Sequence, residues 1–311
     1  MPADPLPSWN EGAAKARLLD FVKRVTTDGT MDFVPPSDRI ATFDSDGTLW
    51  PEQPNCIQFI FVFDRLKSLA QVNPDVKRPE LFRMVLDDGL ESLATLDEEG
   101  IIEIIKATQS GMSTEQFSSI VAEWLETAKD PRFNRVYTDL SYQPMLELID
   151  YLRANEFKSF IVSGAGADFI RVLADKTYRI PPEHVVGSTT DAEFRLGPAG
   201  PVLMKIPDVE VLRDGPGKPV AIDRFIGRRP ILAFGNSDGD KEMLQWTAAG
   251  SGECFVGLLH HTDAEREWAY DRDSKVGHLD RALTLACEKD WTIVDVKNDW
   301  KIVFPKENAN S

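Results

Sequence analysis

The chain reads as an α/β fold, a mostly parallel sheet flanked by helices, with a long helical insertion after its first strand. Three observations carry this reading. Short apolar strands alternate with amphipathic helices from Pro144 onward. The apolar segment Arg39-Ile40-Ala41-Thr42-Phe43 stops abruptly at Asp44-Ser45-Asp46-Gly47-Thr48, an acidic turn at a strand's carboxyl end. Between that turn and the next regular helix, about ninety residues carry helical rather than two-residue periodicity. At 311 residues the chain exceeds what one simple core usually supports. The expected division is a core of residues 1–49 and 143–311, interrupted by a helical unit over 50–142.

Taken in order, Asn10 to Val25 places Ala14, Leu18, Leu19, Phe21 and Val22 on one helical face. The first core strand starts at Arg39. Within the insertion, Gln58 to Ala70 spaces Phe59, Phe61, Val62, Leu66 and Leu69 as a helix, and Ser113-Thr114-Glu115-Gln116 is a capping box for a helix reaching about Thr127. Asp87-Asp88 and Asp97-Glu98-Glu99 read as solvated turns. A helix over Met145–Ala154, a strand over Lys158–Val162 and a helix over Ala167–Thr177 follow. Val185 to Leu203, broken by Gly197, Pro198 and Gly200, reads as a hairpin. Beyond it come a helix after Lys218, a strand over Ile231–Gly235 and a helix from Lys241. The chain closes with a strand over Cys254–Leu259, a helix capped by Thr262 with Glu265, and a strand over Trp291–Val294.

Composition limits the partners. The 51 acidic against 35 basic residues give a net charge of −16, which disfavours nucleic acid and anionic membranes and favours a cation. No apolar run approaches the roughly 20 residues that a membrane span needs. The start of the sequence is polar and Pro-rich, so the compartment is open. Cys56, Cys254 and Cys287 lack metal or disulfide spacing and read as buried small apolar residues.

The chemistry concentrates at four strand ends. Asp44 and Asp46 sit two residues apart on a turn that Gly47 lets leave the strand sharply. One carboxylate can attack phosphorus while the other protonates a leaving oxygen and then deprotonates a water. Phe160-Ile161-Val162-Ser163-Gly164 offers a hydroxyl and a backbone amide for a phosphate oxygen. Gly215-Pro216-Gly217-Lys218-Pro219 sets an ammonium on a stiff loop. Ile231-Leu232-Ala233-Phe234-Gly235-Asn236-Ser237-Asp238-Gly239-Asp240 ends in oxygen ligands suited to a hard cation such as Mg²⁺.

Together these motifs resemble the haloacid dehalogenase superfamily of aspartate-nucleophile phosphohydrolases. The resemblance implies a Rossmann-like core, Mg²⁺, an aspartyl-phosphate on Asp44, and Asp46 as general acid and base with its carbonyl on the metal. Thr48, Ser163 and Gly164 would contact phosphate, and Lys218 would hold the nucleophile and the transferring group. The fourth motif departs from the family pattern, with Asn236 in place of its first acid, so Asp240 or Asp238 is expected to share the metal. An Asp two residues after the nucleophile goes with phosphatases and mutases rather than dehalogenases. The plan resembles the phosphoserine phosphatase branch with a helical cap after the first motif, although that branch carries a Ser in place of Gly47. That branch carries a Glu where this chain has Gln53, beside Glu52. Glu52, Gln53 and the aromatic face of Trp50 are therefore the candidate substrate contacts, and a small phosphorylated compound the expected partner. The same residues would serve a phosphomutase or phosphotransferase, or a non-catalytic relative. His260 and His261 are weaker candidates for a substrate contact than for a polar strand end.

Overall fold

The computed structural model describes residues 4–306 apart from Arg78, Ala199 and Arg213. Its centre is a seven-stranded sheet in the order β4-β3-β2-β1-β5-β6-β7. The strands are β1 (Ile40–Phe43), β2 (Lys158–Gly166), β3 (Val185–Gly197), β4 (Gly200–Glu210), β5 (Leu232–Gly235), β6 (Phe255–His260) and β7 (Thr292–Asp295). All neighbours pair in parallel except β3 and β4, which form an antiparallel hairpin. β1 pairs with β2 on one side and β5 on the other, so the chain winds outward in one direction and then returns past β1. Such a reversal opens a crevice beyond the carboxyl ends of the central strands, and Asp44 and Asn236 follow β1 and β5 directly into it.

The central strands are short because they are buried throughout: Ile40–Phe43 and Leu232–Gly235 expose no residue. Parallel strands covered on both faces need continuous rather than alternating apolar residues, which is how both read. Phe43 stacks on Phe234 across the β1–β5 pair, with ring centroids 5.9 Å apart. The leading helix α1 (Ala13–Thr26) buries Leu18, Phe21, Val22 and Val25 on the sheet.

Between β1 and β2 lie α2 (Ile57–Val72), α3 (Glu80–Asp88), α4 (Glu98–Gln109), α5 (Thr114–Thr127) and α6 (Gln143–Ala154). The Ser113–Gln116 capping box at the start of α5 is formed in both directions. Asp97 caps α4 by accepting the Gly100 N–H at 2.9 Å. Phe61 of α2 meets Phe117, Trp124 and Phe169, so this helical segment shares one apolar core with the sheet.

After β2 come α7 (Ala167–Leu173), α8 (Gly217–Phe225), α9 (Lys241–Ala248), α10 (Arg281–Glu288) and a short α11 (Val296–Asp299). Four expectations need correction. β2 runs on to Gly166, carrying Ser163 and Gly164 inside the strand through an irregular register after Val162. α7 gives way to a wide turn over Ala174–Tyr178. No helix starts at Thr262: its hydroxyl donates to Asp295, and the Asp263 carboxylate instead accepts the N–H groups of Glu265 and Arg266 at 3.2 and 3.0 Å. That closes a tight turn, and no helix forms from there to Asp280. Cys287 is exposed and Cys56 and Cys254 only half-buried, all three free.

The Asp263 turn sets where the loop after β6 goes. Burial alone would raise its carboxyl pKa, but the Arg266 amide and guanidinium outweigh that and hold it below the usual carboxylate range. A depressed folded value stabilises the fold above the unfolded pKa of about 3.9 and loses that contribution as pH falls through the lower folded value. Asp263→Asn should therefore cost about 1 kcal/mol at neutral pH, modest because Arg266 is partly solvated. Urea unfolding should show the difference from wild type shrinking below about pH 4.

Candidate active site

At the carboxyl end of β1 the chain turns so tightly that the Gly47 N–H donates to the Trp50 carbonyl at 2.8 Å and the Leu49 N–H to the Ser45 carbonyl at 2.8 Å. Asp44 is held on the sheet by its own N–H, 3.0 Å from the Phe234 carbonyl, and the residue is 7% exposed. Lys218, in the first turn of α8 and 1% exposed, donates from Nζ to Asp44 Oδ1 at 2.8 Å and to Asp240 Oδ1 at 2.6 Å. Asp214 Oδ1 lies 3.3 Å from the same nitrogen. Asp240 uses its other oxygen to accept the N–H groups of Asn236 and Ser237, both at 3.0 Å, which fixes the loop after β5.

One ammonium thus serves three carboxylates. Burial lowers the Lys218 pKa, but Asp240, Asp44 and Asp214 together outweigh it and raise it well above the usual lysine value. Burial and then Asp240 push the Asp44 carboxyl up against the pull of Lys218. Asp46 rises to about 6, chiefly by burial, while the Trp50 indole N–H and Lys218 oppose the rise. A carboxyl poised there can give up and take back a proton near neutral pH.

The excess of negative charge is suited to a cation. Among the described residues no three His, Cys, Asp or Glu side chains form a ready cage. Mg²⁺ needs none, since it takes one or two carboxylates with carbonyls and waters. Asp44 keeps one carboxylate oxygen that Lys218 does not hold, a donor of the kind such a cation takes.

Several candidate residues have other tasks. Thr48, fully buried, donates its hydroxyl to Asn236 Oδ1 at 3.0 Å and so positions that amide rather than facing a ligand. Asn236 Nδ2 donates in turn to Glu52 Oε1 at 2.5 Å. Glu52 also accepts from the Tyr270 hydroxyl at 2.8 Å, and burial holds its carboxyl well above the usual range. Trp50 is 1% exposed, packs on Phe169, and donates its indole N–H to Asp46 Oδ1 at 2.8 Å; it orients the acid and has no face free for a substrate. Gln53 donates to Ser274 and to the Val276 carbonyl, pinning the loop after β6. Asp238 is not brought to the cluster. Its carboxylate accepts the N–H groups of Asp280, Arg281 and Ala282 and caps α10.

Ser163 and Gly164 do reach the site: both line, with Asp44, Asp46 and Asp214, a cavity of about 660 Å³. The Ser163 oxygen accepts the Ala165 N–H at 3.2 Å, leaving its proton to donate.

Sequence reasoning missed Asp214, although its position four residues before Lys218 was a usable signal. It also missed a buried chain of contacts under the turn after β1. Tyr142 donates to Glu267 at 2.6 Å, Glu267 meets His261 Nδ1 at 2.9 Å, and His261 Nε2 lies 2.8 Å from the Gly47 carbonyl. With Glu267 on Nδ1, the carbonyl contact requires a proton on Nε2. His261 therefore braces the turn.

The family model for haloacid dehalogenase-like hydrolase matches residues 41–245, and the chain belongs to this family. No curated protein matches it in sequence. Among solved structures it is similar to a protein of unknown function from Bordetella pertussis Tohama I, at 15% identity and TM-score 0.52, covering 83% of this chain and 99% of that one. A conserved, functionally unknown protein from Anaerococcus prevotii DSM 20548 aligns at 14% identity and TM-score 0.55, covering 84% and 89%. A probable phosphoserine phosphatase from Vibrio cholerae aligns at 16% identity and TM-score 0.42, covering 84% and 68%. At this identity the first two likenesses show the fold alone.

Gly47 has φ +72°, and a Cβ there would stand 2.2 Å from Asn236 Nδ2 and 2.4 Å from Glu52 Oε1. The serine of the phosphoserine phosphatase branch has no room here. Gly47→Ala should lose about 1–3 kcal/mol of stability from the backbone alone, read by urea unfolding, and displace Asn236 as well.

Proposed function

We propose that the protein is a Mg²⁺-dependent phosphomonoesterase that works through an aspartyl-phosphate on Asp44. The observation that carries the reading is the buried Asp44 carboxylate at the end of β1, gripped through one oxygen by Lys218, with Asp46 two residues on and poised near pH 6.

Asp44 attacks the phosphorus of a small phosphomonoester in line, through the oxygen that Lys218 leaves uncommitted. Lys218 orients the carboxylate and offsets charge on the transferring group. Asp46, held by Trp50, protonates the leaving alcohol. It then takes a proton from the water that attacks the acyl phosphate and regenerates Asp44. The Ser163 hydroxyl and the Gly164 backbone hold the remaining phosphoryl oxygens. Mg²⁺, when bound by Asp44, the Asp46 carbonyl and Asn236, supplies Lewis-acid stabilisation of the phosphoryl oxygens and favours the ionised form of Asp44. The segment 50–142 serves as a helical cap on a core of 1–49 and 143–311, and its α2 and α4 close the cavity above the acids and exclude water.

Phosphate release from a panel of monoesters, with Mg²⁺ and with EDTA, tests this. Release should require the metal, vanish in Asp44→Asn, and fall by at least about 10²-fold in Asp46→Asn, the usual size of a lost acid–base catalyst. Steady activity in Asp44→Ala would end the mechanism. Trp50→Phe keeps the packing on Phe169 but removes the N–H from Asp46. It should lower kcat by about tenfold, a loss of roughly 1.4 kcal/mol for one hydrogen bond to a charged group, with little change in KM.

A further inference from the structure

The cavity combines a cluster of acids with a broad aliphatic wall. Beside Asp44, Asp46, Ser163, Gly164 and Asp214, that wall is made by Phe59 and Val62 of α2, Leu96, Ile101 and Ile105 at and before α4, and Leu212 after β4. Ile101 and Ile105 remain partly exposed to it, although Ile104 on the same helix is fully packed in the core. At about 660 Å³ the space lies within the range of roughly 300–1,000 Å³ typical of pockets for small organic ligands.

Several polar groups along the walls are already engaged, and Thr190 donates to Gln109 Oε1 at 3.1 Å, which leaves the Gln109 NH₂ as a donor. Glu52 Oε1 accepts from Asn236 and Tyr270. Asp168 is paired with Lys205 and Arg171. Gln58 gives its oxygen to the Gly166 N–H at 2.7 Å, which turns its NH₂ toward the cavity as a donor. Among the described residues Lys275, exposed, is the cation that lines the cavity. An amine, a carboxylate or several hydroxyls set against the aliphatic side chains of α2 and α4 would be buried there without partners. An apolar body with at most an acceptor near Gln58 would displace water from the aliphatic wall and leave nothing unpaired.

Resting on the phosphomonoesterase reading above, we propose that the substrate is the phosphate monoester of an apolar alcohol, whose hydrocarbon part lies against α2 and α4 while its phosphate meets Asp44. An amino-acid phosphate or a sugar phosphate would set polar groups against these aliphatic side chains.

The test has two arms on the Mg²⁺-loaded full chain. One measures kcat/KM for n-alkyl phosphates from ethyl to octyl, with O-phospho-L-serine for comparison. The other measures calorimetric binding of the matching n-alkylphosphonates, which cannot be hydrolysed. Both kcat/KM and affinity should climb up to about fourfold per added methylene until the cavity fills, and phosphoserine should lie below every ester longer than butyl. Ile105→Gln should flatten the chain-length dependence in both arms. Phosphonate affinity that stays flat, falls with length or is absent would overturn the inference, whatever is hydrolysed. Affinity that climbs while no ester releases phosphate would support the apolar pocket and overturn the phosphomonoesterase reading instead.

Discussion

The bridge from Lys218 to Asp44 and Asp240 is the interaction on which the site depends. It joins three separate pieces of chain: the end of β1, the start of α8, and the loop between β5 and α9. Two carboxylates this close and this buried repel each other, and desolvation penalises each. A single ammonium between them makes the arrangement tenable, and its position fixes which oxygen of Asp44 is held. Asp240 carries the constraint onward, because its second oxygen grips the Asn236 and Ser237 amides. The lysine is therefore at once the electrostatic and the geometric centre.

Around that bridge, the turn after β1 is shaped from below and from the side. His261, aligned by Glu267 and Tyr142, meets the Gly47 carbonyl, while Glu52 and Asn236 crowd the face where a side chain at Gly47 would stand. Tyr270 stacks on His261 at 4.6 Å and also donates to Glu52. The irregular segment after β6 thus supports the turn that follows β1, and the Asp263 turn stands at its start. Rigid support of this kind is what a nucleophile needs if its attack geometry is set before substrate arrives.

Much of this was legible in the sequence because it follows from local rules. The short apolar strands leading into Asp44 and Asn236, the helical periodicity of the insertion and the Ser113 capping box each depend on neighbours a few residues away. What was not legible depended on direction or distance. Trp50 read as a possible aromatic platform, but nothing local says which way an indole turns, and it faces inward to hold Asp46. Asp238 had the chemistry of a ligand and of a cap in equal measure, and the start of α10, some forty residues further on, takes it as a cap. The Tyr142–Glu267 and Glu52–Tyr270 contacts join residues 125 and 218 positions apart, beyond any periodic signal. Thr262 failed as a helix cap because Asp295 on β7 claims its hydroxyl.

The central claim is that the Lys218-held carboxylate of Asp44 becomes covalently phosphorylated. The most direct measurement is a rapid acid quench of the Mg²⁺-loaded protein during turnover of a phosphomonoester, followed by peptide mass spectrometry. The account predicts a hydroxylamine-labile acyl phosphate on Asp44. Turnover with no acyl phosphate at any time point, or with the phosphoryl group on Asp46 or Asp240, would contradict it.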